Sequence, residues 1–218
     1  MFAGHIGAAM AIGRAERRIN VGVFVCAALL LDLVLWLFVL LGWESVTIPA
    51  DFIVTHQPEF VFPYSHGLLA ALAWSALAGA ATFLWHPLTG SRLSAAAWVG
   101  LAVFSHWLLD VLVHAPELTL AGEGSIKFGL GLWQRMPVAL TVEGLVTLGG
   151  LGLFLSAARL SRARNLWLAA LVFFTLAFTI VGMSVAPAPP SAIAMASSSL
   201  LTIVIVCALA GWAGKRAM

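Results

Sequence analysis

Ser105-His106-Trp107-Leu108-Leu109-Asp110-Val111-Leu112-Val113-His114 lies inside an apolar run long enough to cross a membrane. His106 and Asp110 are four residues apart, so a helix puts them on one face. His114 follows one turn later on the same side. Ionisable groups at bilayer depth are expensive and need partners, water or a metal. The rest of the chain reads as a scaffold that carries further polar groups to this face.

The composition agrees with a membrane setting. Of 218 residues, 62% are hydrophobic and 9% charged, with a mean hydropathy of +1.04. Soluble domains carry about 25% charged residues. The formal net charge of +2 gives no sign of a nucleic-acid partner. Cys26 and Cys207 both sit in apolar runs, so a disulfide framework is not expected. Residues 1–13 are apolar, but Arg14, Arg17 and Arg18 follow them rather than precede them. That is the reverse of a cleaved signal peptide.

The expected fold is all-α, a polytopic bundle of six transmembrane helices plus a short N-terminal half-helix. Residues 1–13 fall short of the ~20 needed for a crossing. The spans are read at 20–42, 65–85, 95–114, 136–158, 165–186 and 193–214. Residues 43–63 and 115–135 form polar loops, and a short loop with His86, Pro87 and Gly90 joins the second and third spans. His56 and His86 read as surface histidines. Residues 1–158 form the polar-bearing core. Residues 159–218, a two-span hairpin without Asp, Glu or His in its spans, read as an addition for packing or self-association. Threading the chain with Arg14 inside puts nine of the eleven Lys and Arg on the cytoplasmic side, with both termini there.

At ~1.5 Å of rise per residue, Asp32 sits roughly 18 Å up the first span and His106 roughly 17 Å up the third. Glu143 descends ~10 Å from the outer face. His66 opens the second span, and His5 nears the midplane if the half-helix dips in from the inside. His5, Asp32, His66, His106, Asp110, His114 and Glu143 can therefore share one depth. Nitrogen and oxygen donors without thiolate suit a divalent metal, zinc first, with manganese or iron as alternatives. Such a metal brings the pKa of a bound water near neutrality, and a spare carboxylate serves as general base or acid. Each group taken singly also reads as a satisfied polar residue. Arg135 reads either as an interfacial anchor or as a binder of an anionic substrate group.

Gly4-His5, Leu30-Leu31-Asp32-Leu33, Tyr64-Ser65-His66-Gly67-Leu68-Leu69 and Ser105-His106-Trp107-Leu108-Leu109-Asp110 together resemble the bacterial inner-membrane family of metal-dependent hydrolases of the LexA-associated type. The likeness spans roughly residues 1–150. More distantly, the order His, Asp, His, His-x-x-x-Asp, Glu is similar to the zinc-dependent phospholipase C group. By that similarity, His66, His106 and Asp110 would hold one zinc and Asp32 would orient the attacking water. His5 and Glu143 would serve neighbouring metal positions, with His114 standing for the later histidines. The chain has Gly67 where the family has a small hydroxyl residue, and Asp32 lacks the Pro-Asp-x-Asp setting, so the resemblance implies one or two metals. The implied activity is hydrolysis of an ester or phosphoester in a membrane lipid or lipid-linked substrate in the bacterial inner membrane. The same groups could instead line a non-catalytic path for metal ions or protons, or form a structural polar network. A homo-oligomer is compatible with either.

Overall fold

The computed structural model describes residues 1–85 and 91–215. The loop residues His86, Pro87 and Gly90, and Arg216 in the closing basic pair, lie outside the described residues. The chain is all-α. Among the described residues five helices are long and apolar enough to cross a membrane, and a bent pair makes six if it forms one span.

The N-terminal helix α1, Phe2–Ala15, is the expected short element. Helices α2, Val21–Ala28, and α3, Leu30–Leu41, form one apolar run bent by 48° at Leu29. After α3, strands β1, Ser45–Thr47, and β2, Glu59–Val61, pair antiparallel around the short helix α4, Phe52–Thr55. Four long helices follow: α5, Leu68–Trp85, α6, Arg92–Val113, α7, Met136–Leu155, and α8, Arg162–Ser184. The last helix is α9, Ala192–Ala213. Between α6 and α7, strands β3, Leu118–Thr119, and β4, Lys127–Phe128, pair antiparallel before a 3-10 turn at Leu132–Arg135.

Both loops thus contain small hairpins that the polar composition did not announce. The first is held by inward-facing Val46 and Phe62. Its base is tied by Glu44, whose Oε1 accepts the backbone N–H groups of Tyr64 and Ser65, each at 2.8 Å. Those two bonds hold residues 64–67 in a turn, so α5 starts at Leu68 rather than at Ser65. Three of the long helices start at serine caps. Ser91, Ser161 and Ser191 accept from the amides of Ser94, Arg164 and Ala194, each cap contributing about 1 kcal/mol.

Small residues let the helices touch backbone to backbone, as membrane helices commonly do. Helix α1 lies directly on α7 through Gly7 and Gly150. A Cβ added at Gly7 would fall 2.5 Å from the Cα of Thr147, and one at Gly150 would strike the Gly7 carbonyl. Helix α9 lies on α2 in the same manner, with Asn20 Nδ2 donating to the Gly211 carbonyl at 2.9 Å. The C-terminal hairpin therefore packs into the core through α2 and α3.

Gly149 and Gly150 give a matched test of the α1–α7 contact. Gly150→Ala is expected to destabilise the detergent-purified protein by about 1–3 kcal/mol or more, because it overpacks a backbone contact. Gly149 faces open space, so Gly149→Ala is expected to be neutral or slightly stabilising. Thermal melts of the two variants check this, and equal Tm values would exclude the contact.

Candidate metal centre

Helix α6 presents His106 and Asp110 one turn apart on its buried face. Nε2 of His106 lies 3.1 Å from Asp110 Oδ2. The turn before α5 brings His66, whose Nε2 is 3.1 Å from His106 Nε2 and 3.5 Å from Asp110 Oδ2. Asp32 reaches in from α3, its Oδ1 3.7 Å from His66 Nε2 and 3.6 Å from His106 Nε2. The three separations among the His66, His106 and Asp110 donor atoms are thus 3.1–3.5 Å, with Asp32 Oδ1 beside the two imidazole nitrogens. A tetrahedron of zinc-type bonds, 2.0–2.2 Å long, has edges of roughly 3.3–3.6 Å. The donor set fits a first-row divalent ion in chemistry and in spacing, and these buried groups could hold one.

The far sides of the rings strengthen this reading. Nδ1 of His106 bonds the Ala28 carbonyl at 2.6 Å. A carbonyl only accepts, so Nδ1 carries a proton and Nε2 is the ring nitrogen turned to the cluster, where it can ligate whenever the ring is neutral. Nδ1 of His66 bonds the Ser65 hydroxyl at 2.8 Å. Nδ1 of His114 bonds Glu117 Oε1 at 2.5 Å, while its Nε2 faces Asp110 Oδ2 at 3.8 Å. Tethering one ring nitrogen to an oxygen while the other points inward is how metal-binding histidines are oriented.

Asp110 is the hub. Its Oδ2 faces His66, His106 and His114. Its Oδ1 lies 3.1 Å from His5 Nε2 and 3.2 Å from the Met1 nitrogen. The His5 ring stacks on that of His106 with centroids 3.6 Å apart and planes within 10°. Glu143, on α7, is buried beside this group, and its Oε1 accepts from the Gly4 amide at 3.2 Å.

A cavity of about 430 Å³ opens from the cluster. Asp32, His66, Asp110, His114 and Glu143 line its polar end. Its walls are largely apolar and include Leu35, Trp36, Phe60, Phe62, Trp133 and Phe178. The C-terminal hairpin supplies one side, with Thr179, Met183, Ser198 and Thr202.

All six His, Asp and Glu side chains expected from the first three spans and α1, together with Glu143, gather around Asp110 or line its cavity. Arg135 does not join them. It is exposed at the end of the 3-10 turn and is not among the residues lining the cavity. His56, read as a surface histidine, is half-buried and lines the cavity. Three contributors escaped sequence reading. Glu117 had a signal, since it stands three residues after His114. The Ala28 carbonyl had none, because nothing in the apolar run 20–42 marks the bend. The hydroxyls of α8 and α9 were visible only as scattered Ser and Thr. No family model, curated protein or solved structure matches the chain, so its chemistry rests on the site itself.

Elemental analysis of the purified protein is expected to find one or two divalent metal ions per chain. His106→Ala and Asp110→Ala are each expected to abolish the binding. His56→Ala removes a cavity histidine outside the cluster and is expected to keep it. Wild-type protein that stays metal-free after reconstitution would sink the metal reading.

Proposed function

We propose that the protein is a membrane-embedded metal-dependent hydrolase that cleaves an ester or phosphoester bond in a lipid-like substrate. The observation that carries this reading is the position of the donor cluster at the polar end of an apolar cavity. A proton or ion pathway needs a polar route through the protein, whereas this cavity has one polar end and aromatic walls. The arrangement suits a ligand with a long apolar part and a reactive head.

The four donors also differ in exposure. The side chains of His66, His106 and Asp110 are 0–3% exposed, whereas that of Asp32 is 20% exposed. Asp32 is the most exposed of the four, with His66 and Asp110 also bordering the cavity, which suits a group that must reach water and substrate. A bound zinc would supply an electrophile and bring a water's pKa near neutrality. His66, His106 and Asp110 would hold the ion. Asp32 would accept the proton of the attacking water as its oxygen bonds to carbon or phosphorus. The ester oxygen then leaves with a proton, for which Glu143 is placed at the same cavity end. His114 and His5 brace Asp110 from its two oxygens. Manganese or iron fits the same donor types.

The basic residues support a bacterial cytoplasmic-membrane setting with both termini inside, since nine of eleven fall on one side.

Asp32→Asn keeps the size of the side chain and removes the base. It is expected to slow lipid hydrolysis by roughly 10²–10⁴-fold, the range for general acid–base groups. The assay is release of head group or fatty acid from a panel of phospholipids and polyprenyl phosphates by metal-loaded protein. An Asp32→Asn variant as active as wild type on every cleaved lipid would overturn the assignment of the base. Metal-loaded wild type that cleaves none of the panel would overturn the hydrolase reading.

A further inference from the structure

The cavity beside the cluster is walled by α3, by the loop that carries β2, by the 3-10 turn and by the C-terminal hairpin. A ligand must pass one of these walls. Among the described residues that line the cavity, three are exposed: Phe178, Pro187 and Ser198. All three belong to the hairpin of α8 and α9. The lining residues of the two loops, Phe52, His56, Pro58, Phe60, Phe62 and Trp133, are buried or half-buried. The loop side is also latched. Gln57 Nε2 donates to the Trp133 carbonyl at 2.8 Å, which joins the first loop to the second. Trp133 in turn lies against His114, with ring centroids 4.3 Å apart.

A side chain that both lines a cavity and faces outward stands at its mouth. Phe178 is 50% exposed. At ~1.5 Å of rise per residue it lies roughly 9 Å before the end of α8, and Ser198 lies roughly 9 Å after the start of α9. The two therefore stand at one level on the arms of the hairpin, with Pro187 in the turn that joins the arms. Gly182, one helical turn from Phe178, also lines the cavity, and a Cβ added there would meet no atom within 4 Å. The surroundings of this mouth are apolar. Phe174, Val181 and Leu201 are 54–68% exposed, on helices long and apolar enough to cross a membrane. Hydrocarbon offers no partner to a free hydroxyl proton. The Ser198 hydroxyl donates to the Met195 carbonyl at 3.0 Å, so it leaves none at the mouth.

We propose that the substrate enters sideways from the bilayer, through a mouth bordered by Phe178, Gly182 and Ser198, and is a lipid resident in the membrane rather than a molecule taken from water. Its chain lies along Leu35, Trp36 and Ile203, which brings the head to the polar end with Asp32. That the lipid is then cleaved rests on the hydrolase reading. That it enters here rests on the shape of the cavity.

The test reads chain occupancy rather than turnover. Vesicles of phosphatidylethanolamine and phosphatidylglycerol carry a trace of the same lipids with a diazirine on one acyl chain. They are reconstituted with the Asp32→Asn protein, which leaves the lipid uncleaved, and irradiated. Leu35 and Ile203 are each 2% exposed, so label on them reports a chain inside the cavity and not lipid around the protein. Gly182→Leu and Ser198→Leu, added singly, narrow the mouth from its two sides. Each is expected to cut the label at Leu35 and Ile203 about tenfold, with label at exposed Phe174 and metal content unchanged. Ser198 already faces outward, so its variant tests the mouth even where Gly182→Leu fails to fold.

No label at Leu35 and Ile203 in the Asp32→Asn protein would overturn the lateral route. So would label that persists undiminished in a folded mouth variant. Lipid that labels the cavity wall yet is never cleaved by the metal-loaded wild type would overturn the hydrolase reading and leave the route standing.

Discussion

The bond between His106 Nδ1 and the Ala28 carbonyl, 2.6 Å long, ties the fold to the chemistry. It joins the third crossing to the bend of the first. In lipid, a backbone carbonyl released from its helix costs several kcal/mol unless something satisfies it. Kinks arise where a side chain inserts into the helical ladder, and His106 is that side chain. The bend at Leu29 redirects α3, which carries Asp32 three residues on. One hydrogen bond therefore relieves the kink, protonates the correct side of His106, and sets Asp32 against His66 and His106.

The surrounding packing keeps the costly groups apart from lipid. Helix α1 is too short to cross, yet it is among the most buried elements, because Gly7 and Gly150 let it lie directly on α7. That contact places His5 over His106 and the start of α1 over Glu143. On the opposite side, α9 presses on α2 and α3, and its hydroxyl-bearing face completes the cavity wall. The C-terminal hairpin thus lacks ionisable groups in its spans while still shaping the space in front of them. Thr179, Ser198 and Thr202 bond to carbonyls of their own helices, which lets hydroxyls line an apolar cavity without leaving unpaired protons.

Much of this was legible in the amino-acid order, and the reason is physical. Hydropathy over twenty residues reports burial in lipid directly, so the long helices stand out. A spacing of four puts His106 and Asp110 together whatever surrounds them. Depth along each span follows from helical rise, which is why His66, Asp32 and Glu143 could be put at one level. Rotation about each axis does not follow from rise. Neither does a bend caused by a residue 78 positions away, nor a carboxylate such as Glu44 that returns through a hairpin. Arg135 shows the same gap from the other side. Its sequence position next to Met136 puts it at the start of α7, where it is exposed and is not among the residues lining the cavity.

The cluster is also asymmetric in a way that gives each carboxylate a different part. Asp110 is enclosed, and its two oxygens face histidines on opposite sides, so it has little freedom to move. Asp32 touches the same ring nitrogens through one oxygen and remains open to the cavity. Glu143 is buried, held by a backbone amide, and faces the cavity from the α7 side. The three carboxylates thus differ in exposure and in their partners, and all three border the cavity. Asp32 is the most exposed of the three, so water or a ligand in the cavity has the freest access to it.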